Sequence, residues 1–196
     1  MKRIILHWTA GTHTPSALDL SHYHFVVDGA GQVHTGKPVE ANRAPLSSGY
    51  AAHTRNCNTD SIGIAVAAMA GAQERPFSAG RYPITEPQIE AFVALAGRLA
   101  REHGIPITRQ TILTHAEVQP TLGIAQAGKW DIAWLPGMSG PADPVAVGDR
   151  LRAWIADAML RKPTPAAVKD SLTPATQSPW AALLAWLSSI FTRKGA

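Results

Sequence analysis

Apolar residues along the chain fall into short runs separated by turn-forming stretches. Lys2 to Leu6 contains Ile4-Ile5-Leu6 and reads as a short buried strand ending at His7. Residues 9–21 hold Gly11, Pro15 and a small Ala17-Leu18 patch, so a loop with at most one helical turn is expected. Tyr23 to Val27 and Gln32 to Thr35 are β-prone and flank Asp28-Gly29-Ala30-Gly31, a hairpin signal. Residues 36–60 are rich in Gly, Pro, Ser and Asn and read as a long surface loop. Ser61 to Met69 is apolar almost throughout, as in a strand covered on both faces.

Thr85 opens the clearest helix. Its hydroxyl caps the N-terminus, Gln88 completes a capping box, and Pro87 is tolerated in the first turn. Ile89, Phe92, Val93, Leu95, Ala96 and Leu99 form an apolar stripe that Gly104 ends. Thr111 to His115 reads as the next strand. Asp143 as N-cap and Pro144 at the first helical position begin a second long helix to about Leu160, with Leu151, Trp154, Ile155 and Ala158 on its buried face. Strands alternating with helices indicate an α/β domain over residues 1–161.

Beyond it, residues 162–179 are dominated by Pro, Thr, Ala and Ser and read as a linker. Residues 180–196 open with an apolar run of about twelve residues, short of the roughly twenty that a spanning helix needs. As a helix it gathers Trp180, Leu183, Leu184, Leu187, Ile190 and Phe191 on one side and ends at Arg193-Lys194. Such a segment suits an anionic membrane surface, and equally docking on the domain or on another copy.

With 196 residues the chain suits one domain plus an appendage. Its net charge of +4 admits acidic partners such as cell-wall polymers or phospholipid headgroups. No dense Lys/Arg run with interleaved aromatics occurs, so nucleic acid is not an expected partner. The single cysteine, Cys57, precludes an intramolecular disulfide. Met1-Lys2-Arg3 is followed by only three apolar residues, too few for a signal peptide. Synthesis in the cytoplasm is therefore expected, with a separate route to any target beyond the membrane.

Two histidines and an aspartate carry the candidate chemistry. His7 and His115 each follow an apolar run and would sit at strand ends, and Asp131 would arrive from a loop. Two imidazoles and a carboxylate suit Zn²⁺ and leave a fourth tetrahedral position open, as in catalytic sites. The bland alternative is that each histidine caps a strand by hydrogen bonding. His22 and His24 form a His-x-His pair whose rings would share one face of a strand. His13, His34 and His103 have no supporting context and read as surface residues.

Six segments, in order between residues 3 and 135, resemble the zinc-dependent N-acetylmuramoyl-L-alanine amidases of the peptidoglycan-recognition-protein superfamily, which include phage endolysins. They are Leu6-His7-Trp8-Thr9-Ala10-Gly11, Tyr23-His24-Phe25-Val26-Val27-Asp28, Ala52-His53, Ser61-Ile62-Gly63-Ile64, Thr114-His115-Ala116-Glu117-Val118 and Lys129-Trp130-Asp131. The resemblance implies a mixed central β-sheet flanked by helices, with zinc held by His7, His115 and Asp131. It implies catalytic roles for Tyr23 and Lys129 and a place in the substrate groove for His53. His24 becomes a core or supporting histidine, and Glu117 is expected to orient His115. Thr9, Asn58 and Ser61 are further candidates for contact with glycan or peptide. Many relatives carry glutamate after Ser-Ile-Gly-Ile, where this chain has Ala65.

The implied activity is hydrolysis of the amide between N-acetylmuramic acid and L-alanine in peptidoglycan. An endolysin is expected, monomeric and reaching the periplasm by holin-type release. A peptidoglycan-binding module without catalysis and a bacterial cell-wall recycling amidase are the alternatives.

Overall fold

Ile4, Ile5 and Leu6 are wholly buried because β1 (Arg3–Trp8) runs through the interior of the sheet. In the computed structural model, which describes residues 1–160, β1 is followed by α1 (Ala17–His22), β2 (Phe25–Val27), β3 (Val33–Thr35) and a 3₁₀ turn (Val39–Asn42). Then come β4 (Ser61–Val66), α2 (Glu86–Glu102), β5 (Ile112–Thr114), α3 (His115–Leu122) and α4 (Pro144–Leu160). The sheet order is β3-β2-β4-β1-β5. β1 pairs in parallel with β4 and β5, β2 in parallel with β4, and only β3 is antiparallel. This is the expected mixed α/β sheet flanked by helices. The linker and apolar segment expected over residues 162–196 lie outside the described residues. No helix among the described residues is long and apolar enough to cross a membrane.

The two faces of the sheet differ in chemistry. Ile4, Leu6 and Trp8 of β1 and Ile62, Ile64 and Val66 of β4 pack with Phe92, Leu95 and Leu99 of α2 and Leu151 and Ile155 of α4. On the opposite face Gly63 and Ala65 of β4 leave room for larger polar side chains. Apolar contacts there form two small clusters, Ile5, Cys57, Leu113 and Val118 with Leu122 and Ile124, and Val26, Ala65 and Ala67 beneath Leu20 and Tyr23.

Both long helices begin as the sequence predicts. Thr85 Oγ1 accepts from the Gln88 amide and Gln88 Oε1 accepts from the Thr85 amide, at 3.2 and 3.0 Å. Gln88 does more than cap: its Nε2 donates to the Val27 and Ala67 carbonyls at 3.1 and 2.9 Å, pinning α2 to β2 and to the end of β4. Asp143 Oδ1 accepts from the Ala146 amide at 2.9 Å, and α4 starts at Pro144. Its buried face also includes Val147, Gly148 and Arg152, while Trp154 and Ala158 are half-buried.

Elsewhere the expectations need correction. Residues 17–22 are a six-residue helix with a Ser16–Asp19 capping box, longer than the single helical turn expected there. β4 ends at Val66, three residues before Met69. β5 stops at Thr114, and His115 starts a helix. The 36–60 segment is folded against the sheet: the buried Asn42 side chain donates to the Ala51 and Asn58 carbonyls and accepts from the Ala51 amide.

Candidate metal centre

Three elements deliver three donors to one point. His7 lies on β1 opposite Ala65 of β4, on the face where β4 is small. His115 is the first residue of α3, fixed by a capping box in which Thr114 Oγ1 accepts from the Glu117 amide and Glu117 Oε2 from the Thr114 amide. Asp131 comes from the loop after α3, where its carbonyl accepts from the Ala116 amide at 3.2 Å and the Trp130 ring stands edge-on to Trp8 at 4.6 Å. Ile132, next in the chain, has φ +63°. For a β-branched residue that backbone costs about 1–3 kcal/mol, offset by a side chain with no exposure.

His7 Nδ1 and His115 Nδ1 stand 3.1 Å apart, His115 Nδ1 is 3.1 Å from Asp131 Oδ2, and His7 Nδ1 is 3.6 Å from that oxygen. Tetrahedral zinc with ligand bonds of about 2.0–2.1 Å separates its ligands by about 3.3–3.4 Å, so the triangle is the right size. The three residues are 0%, 5% and 7% exposed. Burial pushes the His7 imidazole down to about 4, against the pull of Asp131, so at neutral pH it is the uncharged form a metal needs. Burial opposes ionisation of Asp131, yet its contacts with His115 and His7 hold the carboxyl well below the ordinary carboxylate range. The donor set therefore fits zinc in both size and charge.

Behind the triangle lies a row of imidazoles. His7 Nε2 faces His53 Nδ1 at 3.2 Å and Thr54 Oγ1 at 3.3 Å, and His24 follows His53 with ring centroids 5.6 Å apart. His53, expected in the substrate groove, is buried against His7, its ring resting on Gly63, where a Cβ would overlap it. Asn58 Oδ1 accepts from the His53 and Thr54 amides at 3.1 and 2.8 Å, so its oxygen holds this loop rather than facing a ligand. Ser61 has no exposure and its hydroxyl donates to the Thr59 carbonyl at 3.3 Å. Thr9 Oγ1 accepts from the Gly11 and Ala68 amides.

His22 and His24 do not share a face. His22 closes α1 and is exposed, whereas His24 is wholly buried and its Nδ1 accepts from the Gly63 amide at 2.9 Å. Glu117 does not touch His115. Its carboxylate caps α3 and pairs with the buried Arg152 guanidinium at 2.8 Å, over Gly148, whose lack of a side chain makes the space. The group that meets His115 is Gln126, with Oε1 2.9 Å from His115 Nε2. Neither Gln126 nor Thr54 carries a motif that would have singled it out.

Tyr23 and Lys129 both act on His7. The Tyr23 ring lies 5.2 Å from the His7 ring, and its hydroxyl is 3.5 Å from the Trp8 carbonyl. Lys129 is exposed on the loop before Asp131, and its charge reaches His7. It lines a cleft of about 710 Å³ with Glu74, Arg75, Trp130 and Asp143.

Fold and site together define a mixed α/β domain with a buried two-histidine, one-aspartate group of the size and donor chemistry that a metal ion takes. The model of the N-acetylmuramoyl-L-alanine amidase family matches residues 1–137, and the chain belongs to that family. Among solved structures, the Staphylococcus aureus hydrolase AmiA in complex with its ligand is 14% identical, with a TM-score of 0.53 over 81% of this chain and 73% of that one. The amidase LysC of Clostridium intestinale is 16% identical, with a TM-score of 0.48 over 79% and 85% of the two chains. An endolysin of a Thermus scotoductus bacteriophage is 17% identical, with a TM-score of 0.46 over 76% and 82%. At these identities the likeness is one of fold. No curated protein matches the chain.

Proposed function

We propose that the protein is a zinc-dependent N-acetylmuramoyl-L-alanine amidase, hydrolysing the amide between the lactyl group of N-acetylmuramic acid and L-alanine in peptidoglycan. What carries the reading is the buried triangle of His7 Nδ1, His115 Nδ1 and Asp131 Oδ2 in a chain of this family. Zinc held there supplies a Lewis acid that polarises the scissile carbonyl and brings the pKa of its water toward neutrality.

The remaining chemistry falls to side chains around the triangle. Burial, with the Asp131 carboxylate adding to it, raises the Tyr23 phenol above its ordinary range. In this reading the Tyr23 hydroxyl, beside His7, donates a hydrogen bond to charge developing on the substrate oxygen. Lys129 brings a cation to the rim beside the same oxygen. The lytic setting of phage endolysins, with holin-type release to the wall, is part of this reading and rests on the motif resemblance alone.

Ala65 is buried beside His7 where many relatives have glutamate. That single substitution favours a second reading, a peptidoglycan-binding module without catalysis. The test is turbidity loss and appearance of free N-terminal L-alanine from purified peptidoglycan, with and without chelator, beside His115→Ala. Chelator-sensitive release that the variant lacks is the expected result. Binding of peptidoglycan by the wild type with no release would replace the first reading by the second.

A further inference from the structure

We propose that Gln126 is a positioning residue: it fixes the tautomer of His115 so that Nδ1, and not Nε2, is the nitrogen offered to a metal. The inference rests on the zinc reading for its consequence, but its physical basis lies in the protein alone. An imidazole has one N–H and one lone pair when neutral, and the partner of one nitrogen decides what the other can do.

Gln126 is 4% exposed and its amide has no freedom to turn over. Its Nε2 lies 3.0 Å from the Arg55 carbonyl and 3.2 Å from the Ile124 carbonyl. Both oxygens only accept, so the end of the amide facing them is the NH₂. Oε1 must then face His115 Nε2, at 2.9 Å. An amide oxygen also only accepts, so Nε2 carries a proton, and Nδ1 is the nitrogen left to face Asp131 Oδ2 or a metal. Nδ1 is the nitrogen that stands 3.1 Å from both His7 Nδ1 and Asp131 Oδ2.

The backbone of Gln126 is held as firmly as its side chain. Its amide donates to Gln119 Oε1 at 2.9 Å, and its carbonyl accepts from the Lys129 amide at 3.3 Å. One residue thus connects α3, the loop that carries Thr54 and His53, and the turn that presents Lys129 and Asp131. His7 has no comparable constraint, because its Nε2 faces a hydroxyl and an imidazole that can each donate or accept.

The test compares the full chain with Gln126→Glu and Gln126→Met. Both variants lose the two bonds donated to the Arg55 and Ile124 carbonyls, but only glutamate keeps an acceptor against His115 Nε2. Imidazole ¹⁵N shifts of the metal-free protein report the tautomer directly. Competition with a chromophoric chelator reports zinc affinity. The expected result is a proton held on His115 Nε2 in the wild type and in Gln126→Glu. In Gln126→Met a tautomer mixture is expected, with zinc affinity reduced about 10–100-fold. If glutamate and methionine weaken zinc equally, Gln126 is a structural link between loops and the proposal fails. It fails too if wild-type His115 carries its proton on Nδ1 alone, with Nε2 bare. If the wild type binds no zinc, the zinc reading falls, while the ¹⁵N spectrum still decides the tautomer.

Discussion

Replacing Arg152 by methionine removes a buried cation without emptying its space, and the structure sets the size of the effect. The guanidinium is 6% exposed and donates to Glu117 at 2.8 and 3.2 Å, to the Ile112 carbonyl at 2.7 Å and to Asp149 at 2.8 Å. Glu117 has no exposure, and burial already pushes its carboxyl up against the pull of Arg152. Breaking one partner out of a buried pair typically costs 3–5 kcal/mol. The variant has an escape, since Glu117 can take up a proton. From an ordinary carboxyl value of 4.5 that costs about 3 kcal/mol at pH 7, so the charge part of the loss is capped near that figure. For a domain of this size the melting temperature then falls on the order of 10 °C.

Urea unfolding followed by circular dichroism measures the loss, and its pH dependence identifies the cause. A carboxyl raised in the folded state contributes its full stability below its unfolded value and loses it as pH rises. The Arg152→Met deficit should therefore shrink as pH falls toward 4.5. The double variant Glu117→Gln/Arg152→Met should recover most of the stability, because neither partner is left charged and unpaired. A loss below 1 kcal/mol in the single variant, or a double variant no better than the single, would refute the view that this pair holds α3, and with it His115, against α4.

The remaining predictions concern the imidazole layer and the centre. His24 is held at about 4 by burial against 6.5 when exposed, so between those values the unfolded chain binds a proton that the native chain refuses. Metal-free protein should thus be less stable at pH 5 than at pH 7.5, by about 2 kcal/mol from His24 alone, with equal urea midpoints counting against it. Gly63→Ala drives a methyl into the His53 ring and should cost about 1–3 kcal/mol; an unchanged melting temperature would mean the ring is free to move. Tyr23→Phe should lower kcat by about 10²–10³ while leaving zinc affinity unchanged in chelator competition. Zinc at a hundredfold excess over its Kd should stabilise the wild type by about 2.7 kcal/mol in calorimetry and His115→Ala not at all.

What was legible in the sequence was what local chemistry decides. The Thr85–Gln88 box and the Asp143-Pro144 start are recorded within four residues of chain, and both helices begin there. The same signal was present at Ser16–Asp19 and at Thr114–Glu117. At the first it was masked by Pro15 and the sparse apolar residues of a helix that buries none of its side chains. At the second it was masked by the β-prone run Thr111–His115 and by Pro120 inside the helix. The metal triangle was legible because each donor lies within a motif. Its supports were not. Gln126 reaches a carbonyl 71 residues away, and Arg152 reaches Glu117 across 35, so nothing near either residue in the chain marks its role.

The placement of His53 against His7 is subject to the same limit and points to how the site is built. A histidine motif between a loop and a strand does not reveal which way the ring turns. That direction is set by Gly63 and Ala65, which are small on one face of β4 while Ile62 and Ile64 are large on the other. Small residues there admit a layer of side chains between the sheet and solvent, and the layer consists of imidazoles spaced 4.6, 5.2 and 5.6 Å from His115 through His7 and His53 to His24. Burial holds His7, His53 and His24 below the ordinary imidazole value, so none of the three is a cation at neutral pH. A stack of charged rings would repel one another and any metal. A stack of neutral ones supports His7 from behind at no electrostatic cost, and leaves Asp131 as the anion that a divalent ion meets at the triangle.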